Sequence, residues 1–208
     1  MKGYKVFERF RGFLPVIVDV ETGGFNCETD ALLEIAVVLV SYSRSLGWSR
    51  DRTLSFHVEP FEGAILDSKA LEFNKIDPSH PFRQEIAEKE FSVLTVIKEE
   101  VELKLKDYGC SRAILVGHNA AFDIGFLNAA IKRSRIKGFP FHGFSTFDTA
   151  TLSGLVFGQT VLARAMIAAG FDWNVSKAHS AAYDAEGTAD LFCKIVNRWD
   201  SMNSSRCP

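Results

Sequence analysis

The chain has 208 residues, 47% of them hydrophobic and 24% charged, with a net charge of −2. That length and apolar content suit one domain with a substantial core, over 1–202, rather than two. The near-neutral charge excludes a protein that coats nucleic acid by bulk positive charge, but it leaves room for a local basic patch. No apolar run is long enough to span a membrane, and Met1-Lys2-Gly3-Tyr4-Lys5 lacks the core of a signal peptide, so no membrane partner is expected. Cys27, Cys110, Cys193 and Cys207 are scattered without a CxxC pair. They suggest neither zinc nor a disulfide framework, and a reduced, cytoplasmic compartment fits.

Residues 1–14 are basic and aromatic, with Arg9 and Arg11 flanking Phe10. The apolar run after Pro15, Val16-Ile17-Val18-Asp19-Val20-Glu21, reads as a strand buried on both faces. Such a strand should reject carboxylates, because an unpaired buried charge is costly. Yet Asp19 and Glu21 sit two apart near its end, so their side chains leave on one face and converge. Thr22-Gly23-Gly24 then turns the chain and is expected to leave room for something to approach. Paired hard oxygen ligands at the mouth of a sheet suit Mg²⁺ or Mn²⁺. A solvated strand end with turn-forming acids is the alternative.

Leu32–Val40 and Leu54–Val58 read as two further strands whose short connections favour an antiparallel meander with the first. A short helix is predicted over Ser68–Phe73, before the Asp77-Pro78 turn. Apolar residues at helical spacing (Ile86, Phe91, Leu94, Ile97, Val101, Leu105) predict one long amphipathic helix over Glu85–Lys106. Ala113–Val116 and Phe144–Phe147 read as short strands. Ala120–Arg135, Thr149–Phe157, Thr160–Ala169 and Ala181–Trp199 read as helices. The polar tail 203–208 is expected to be disordered. Strands first in a meander and then alternating with helices give a mixed sheet with helices packed on it.

Three more acids and two histidines join the opening pair. In Gly117-His118-Asn119-Ala120-Ala121-Phe122-Asp123, Asn119 is a good N-cap and Asp123 falls where the helix dipole favours negative charge. That alone accounts for Asp123 structurally, and His118 reads as a satisfied loop histidine. In His179-Ser180-Ala181-Ala182-Tyr183-Asp184, Ser180 is placed to cap the last helix, with His179 in the loop and Asp184 about one turn in. Asp148 reads as another cap.

Taken in order, these segments resemble the DEDD exonuclease superfamily, histidine subclass. Its pattern is an acid-x-Glu strand, an Asp at a helix start, then a His and an Asp five residues apart. DxET alone is a weak signal; the ordered set is specific, and the resemblance covers nearly the whole chain. Further matching stretches are Phe10-Arg11-Gly12-Phe13, Leu32–Ala36, His57–Phe61 and Val196-Asn197-Arg198-Trp199.

The resemblance implies a ribonuclease H-like α/β fold, with a three-stranded antiparallel meander plus two parallel strands flanked by helices. It also implies a metal-dependent 3′→5′ exoribonuclease that releases nucleoside 5′-monophosphates from stable RNA 3′ ends, tRNA especially. Asp19, Glu21, Asp123 and Asp184 would hold two Mg²⁺ about 3.5–4 Å apart, with Mn²⁺ a substitute. His179 would be the general base, suited by an imidazole that titrates near ~6.5 when unperturbed. Of the chain's 18 Phe, most must be core, but Phe25, Phe73, Phe122 and Phe144 match positions that stack terminal bases. Lys69 stands where the pattern has a base-contacting glutamate, with Glu72 close by but out of register. Arg9, Arg11, Lys106, Arg112 and Lys137 match a phosphate-binding patch that serves the partner's site in a homodimer; an ordinary solvated surface explains them equally. Within the same chemistry the alternatives are a DNA proofreading exonuclease, with single-stranded DNA as substrate, or an oligoribonuclease. From another class, the rival is a silent nucleic-acid-binding module, which has no need of all four acids and the histidine.

Overall fold

After a one-turn helix α1 (Val6–Arg9), the apolar run following the N-terminal segment forms β1 (Phe13–Thr22), the middle strand of a five-stranded sheet. The computed structural model describes residues 6–204. From Leu14 to Val18 every residue of β1 is buried, as a strand flanked on both faces demands. β2 (Leu32–Ser43) and β3 (Gly47–His57) follow, then α2 (Ser68–Asn74), α3 (Pro81–Ile86), α4 (Glu90–Tyr108), β4 (Arg112–Gly117) and α5 (Ala121–Ser134). β5 (Phe141–Asp148), α6 (Thr149–Phe157), α7 (Leu162–Ala168) and α8 (Ala181–Ser204) complete the order, with a 3-10 turn at Val175–Lys177 before α8.

The strand order is β3-β2-β1-β4-β5. β1, β2 and β3 pair antiparallel, while β4 lies parallel to β1 and β5 parallel to β4. The expected meander with two added parallel strands is therefore the observed sheet. α8 runs along β1, β2 and β3 and packs on α6 and α7, while α4 and α5 pack on each other and on β1 and β4. Trp48, Phe126 and Phe192 are the largest fully buried side chains of the core.

Several boundaries differ from the sequence reading, β2 running on to Ser43 and β5 starting at Phe141 among them. The long helix predicted over Glu85–Lys106 is two helices, because Ala87 and Lys89 are extended and Glu88 pairs with Val58 as a short continuation of the sheet. Ile86 and Phe91, taken there for core positions, are exposed. β3 begins at Gly47 rather than Leu54, and its polar first half is faced by charge, with Arg50 paired to Glu186 and Asp190 of α8. α8 continues past Trp199 through Asn203 and Ser204; the rest of the tail expected to be disordered, 205–208, lies outside the described residues, as do 1–5. Cys27, Cys110 and Cys193 are free thiols, and Cys207 falls outside the description. No single described helix is long and apolar enough to cross a membrane.

Candidate active site

β1 delivers Asp19 and Glu21 to one face near its C-terminal end, where a register shift between Glu21 and Thr22 ends regular pairing with β2. Asp123, in the first turn of α5, is only 4% exposed. Its Oδ1 accepts the Val20 backbone N–H at 3.2 Å, which holds its carboxylate against the strand between the two β1 acids. Gly117 at the end of β4 makes this possible, since a Cβ there would lie 2.7 Å from Asp123 Oδ2. Asp184, in the first turn of α8, accepts the His179 backbone N–H on Oδ2 at 3.1 Å, while its buried Oδ1 has no hydrogen-bond partner among the described residues. His179 adopts a left-handed backbone conformation (φ 66°), and its ring packs on Phe73 with centroids 4.3 Å apart. One ligand atom from each of Glu21, His179 and Asp184 lies within 4.8 Å of the others. Asp19 and Asp123 line the same cleft, whose volume is about 640 Å³.

The electrostatics of the group are unfavourable without cations. Burial first, then the neighbouring carboxylates of Asp123, Asp184, Glu21 and Glu34, hold Asp19 well above the ordinary carboxylate range. Burial, reinforced by Asp184 and Glu34, pushes Glu21 up to about 8. Asp123 is raised by burial against the lowering effect of the Val20 N–H, and Asp184 by burial against the His179 N–H and ring. Such a group persists only with protons or cations to offset it. Its donors are carboxylate oxygens with an imidazole alongside, and the unpartnered Asp184 Oδ1 is an acceptor that an ion would satisfy. The residues therefore fit a hard divalent metal.

Around the acids, Phe25, Phe73 and Phe122 line the cleft, with Phe25 88% and Phe73 65% exposed. Phe25 and Phe122 meet edge to face at 6.2 Å. Phe144 is exposed but does not line this cleft. It stands on a bulge of β5, where only Leu115 follows Ala113 in register while the partner strand advances from Phe141 to Thr146. Lys69 is exposed on the cleft wall, and Glu72 is not among its lining residues.

The histidine not expected to react is tied down. His118 Nε2 meets the Thr160 carbonyl at 2.9 Å and Nδ1 the Thr149 hydroxyl at 3.0 Å, and burial lowers its pKa. Asp148 is the cap of α6 that the sequence suggested, accepting the Ala150 N–H at 2.8 Å. Asn119 is not the cap of α5; that position is Ala120, and Asn119 sits in the left-handed region (φ 73°) with its N–H on Asp148 Oδ1. The glycine turn borders the cleft through Thr22 and Gly24. A Cβ on Gly24 would fall 2.0 Å from Asp30 Oδ2, and one on Gly23 2.9 Å from the Ile65 carbonyl, so side chains are excluded where the turn meets its own chain.

The basic residues lie elsewhere. Arg112 pairs in register with Phe13 at the start of β1, and Arg11 lies two residues before that strand begins. Asp19 is six residues further along, about 20 Å at ~3.3 Å per residue. Arg11, Lys106, Arg112 and Lys137 are exposed, but Arg9 is partly buried and bonds Asp200 at 3.1 Å.

Three contributors went unread in the sequence. Glu34 faces Glu21 across the β1–β2 register as a fifth acid, held by Arg83 Nη1 at 3.0 Å; an acid within an apolar run was the available signal. Asn74 is buried and donates to the Thr22 carbonyl at 3.0 Å, fastening α2 and its Phe73 to the catalytic strand. Gly117 matters only through its distance to Asp123, which no spacing rule discloses.

A family model described as an exonuclease matches residues 16–192. Ribonuclease T of Pectobacterium atrosepticum is 57% identical over 195 residues, 93% of this chain and 86% of the relative. Ribonuclease T of Salmonella typhimurium is 55% identical over 202 residues, 97% of this chain and 93% of the relative. Among solved structures, a full-length 3′-exonuclease superposes with a TM-score of 0.67 at 20% identity, covering 89% of this chain and 82% of its own, a likeness of fold.

Proposed function

Because the chain belongs to the ribonuclease T family of metal-dependent 3′→5′ exonucleases, we propose that it trims the 3′ ends of stable RNA, tRNA above all, one nucleoside 5′-monophosphate at a time. The observation that carries this reading is the meeting of Asp19, Glu21, Asp123, Asp184 and His179 beside exposed phenylalanines in one cleft. Asp19, Glu21, Asp123 and Asp184 would hold two Mg²⁺, which supply charge stabilisation at the scissile phosphate. His179 takes a proton from the attacking water as its oxygen bonds to phosphorus, and the bond to the upstream 3′-oxygen breaks, that oxygen taking a proton from solvent to become the 3′-hydroxyl of the shortened RNA. The Asp184 carboxylate anchors the His179 backbone and Phe73 packs on its ring, so the base is held in place. Phe25, Phe73 and Phe122 offer faces to the terminal bases, each stack being worth ~1–3 kcal/mol; Phe144 stands exposed on the β5 bulge, outside the cleft. Lys69, a donor-only ammonium, presents hydrogen to base carbonyls or ring nitrogens where a carboxylate would accept it.

Arg11, Lys106, Arg112 and Lys137 form a patch at the opposite end of β1 from the acids. In a homodimer, a two-fold interface would bring that patch to the partner's cleft. The test of the whole reading offers purified protein an RNA with a 3′ overhang and its DNA analogue, in Mg²⁺ and in EDTA, with products resolved at single-nucleotide length. Stepwise loss of RNA nucleotides in Mg²⁺ and none in EDTA is expected. Faster trimming of the DNA would reassign the substrate, and cleavage undiminished by EDTA would remove the metals.

A further inference from the structure

Beside His179 lies a recess that the exonuclease reading leaves unused. One part, about 440 Å³, is lined by Lys75, Lys177, His179 and Tyr183 among others. A second part, about 300 Å³, runs past Lys75 and His179 to His80 and Arg83. Both parts share Asn74, Lys75, His179 and Ser180, and Asn74 and His179 also line the catalytic cleft. The recess and the cleft therefore adjoin at the catalytic histidine.

Its charges are unevenly satisfied. Each acid on its wall is engaged: Glu186 by Arg50 and by the Thr53 hydroxyl at 2.8 Å, Glu34 by Arg83, and Asp77 by the Ser79 hydroxyl at 2.6 Å. Lys75 and Lys177 are exposed, and neither makes an ion pair with a described residue. Both are carried by anchored backbone. Lys75 directly follows Asn74, which is bonded to Thr22, and it caps α2 in the left-handed region (φ 58°). Lys177 ends a 3-10 turn capped by Asn174, whose own N–H donates to the Tyr183 hydroxyl at 2.8 Å. Two unpaired ammonium groups beside a site that works on a polyanion are matched chemically by phosphate.

We propose that this recess is a second phosphate-binding site, in which Lys75 and Lys177 hold a backbone phosphate of the RNA outside the nucleotides seated among the phenylalanines. It rests on the exonuclease reading above. The same lysines would also suit the released 5′-monophosphate, and the experiment separates the two sources. Lys75→Gln with Lys177→Gln keeps side-chain bulk and removes both charges. kcat/KM is measured for the wild type and this double variant on a dinucleotide and on a longer single-stranded RNA, over a range of salt. Inhibition by adenosine 5′-monophosphate and the Mg²⁺ dependence are measured on both proteins.

The expected result is an unchanged dinucleotide rate, a fall of about tenfold on the longer RNA, and a log–log salt slope shallower by about 0.7, the value for one single-strand phosphate contact. Equal losses on both substrates together with weaker inhibition by the monophosphate would overturn the backbone assignment in favour of product. No change on either substrate would overturn the site, as would a change confined to the Mg²⁺ dependence, which would make the lysines a counterweight to the acids. A wild type that fails to trim either RNA in Mg²⁺ sinks the exonuclease reading instead, and shows itself before any variant is compared.

Discussion

Glu21 titrates at about 8 in the folded chain against an ordinary value of 4.5, so between those pH values the folded state binds more protons than the unfolded one. Stability of the metal-free protein must then decline as pH rises from about 4.5 to about 8, fully present below that window and lost above it. The raised Asp19, Asp123 and Asp184 act in the same direction. Cation binding displaces those protons and favours the folded state. Thermal melts in EDTA should therefore fall from pH 5 to pH 8, and Mg²⁺ should raise the melting temperature more at pH 8 than at pH 5. A metal-free melt that is flat or rising across that range contradicts the clustering of the acids. At His179 the geometry poses a choice, because its ring is as close to Glu21 and Asp184 as a metal ligand would be. His179→Ala should lose about 10²–10⁴-fold in rate, the usual worth of a general base, while Mg²⁺ still raises its melting temperature. Loss of that Mg²⁺ effect would make His179 a ligand. His118→Ala, by contrast, frees Thr149 and the Thr160 carbonyl and should lower stability more than rate. Asp19 and Glu21 were legible because side chains two apart on a strand leave on one face; Asp123, Asp184 and His179 were singled out by their resemblance to the exonuclease pattern. Gly117 and Glu34 were not, since their importance lies in distances, that of Gly117 to Asp123 on α5 and that of Glu34 to Glu21 across the sheet.

Among the elements, α2 has a role beyond its length. Its N-cap Asp67 accepts the Lys69 and Ala70 N–H groups at 3.0 Å each, and its last residue Asn74 reaches the Thr22 carbonyl. The helix is thus pinned at both ends, presenting Phe73 to His179 and Lys69 to the cleft. Asn74→Ala removes the second pin and leaves the buried Thr22 carbonyl unsatisfied, a cost of about 1–3 kcal/mol. Trimming should slow with a raised KM, while Asp67→Ala, which frays only the exposed end, should affect stability by about 1 kcal/mol and KM less. The reverse order of KM effects would show that α2 does not position the cleft. Sequence periodicity found α2 and α6 almost to the residue but merged α3 and α4, because a three-residue extended break hides within a run of helix formers. It also shortened β3, whose polar half is stabilised by charges on α8 and α4 rather than by apolar alternation.

At the scale of the molecule, the sheet separates two jobs. The acids gather near the C-terminal end of β1, and Arg11 and Arg112 lie at its start. Mixing Arg11→Ala/Arg112→Ala protein with Asp19→Asn protein tests whether two copies cooperate. Each is impaired alone, but a mixed dimer pairs one intact cleft with one intact patch, so RNA trimming should partly recover on mixing. No recovery, with a monomer by sedimentation, removes the cross-subunit arrangement. The antiparallel meander of β1, β2 and β3 was legible from its short connections, while the two parallel strands came with the family resemblance. Where Arg11 and Arg112 lie relative to the cleft was not legible, because they come from separate segments that the parallel pairing of β1 with β4 brings to one end.

The bond between Arg9 and Asp200 also joins two places far apart in the chain, 191 residues from one another. α8, 24 residues and about 36 Å long at ~1.5 Å per residue, carries Asp184 in its first turn and Asp200 near its last. The stretch before β1 and the last turns of α8 therefore end side by side, with the reacting groups near the other end of that rod. Such an arrangement is a candidate for rewiring: a short flexible linker can join the end of α8 to the start of α1, and a new opening can be cut at the exposed Ser45–Leu46 turn between β2 and β3. That circular permutant should melt cooperatively and trim RNA as the parent does, and its failure to fold would show that the β2–β3 turn guides assembly.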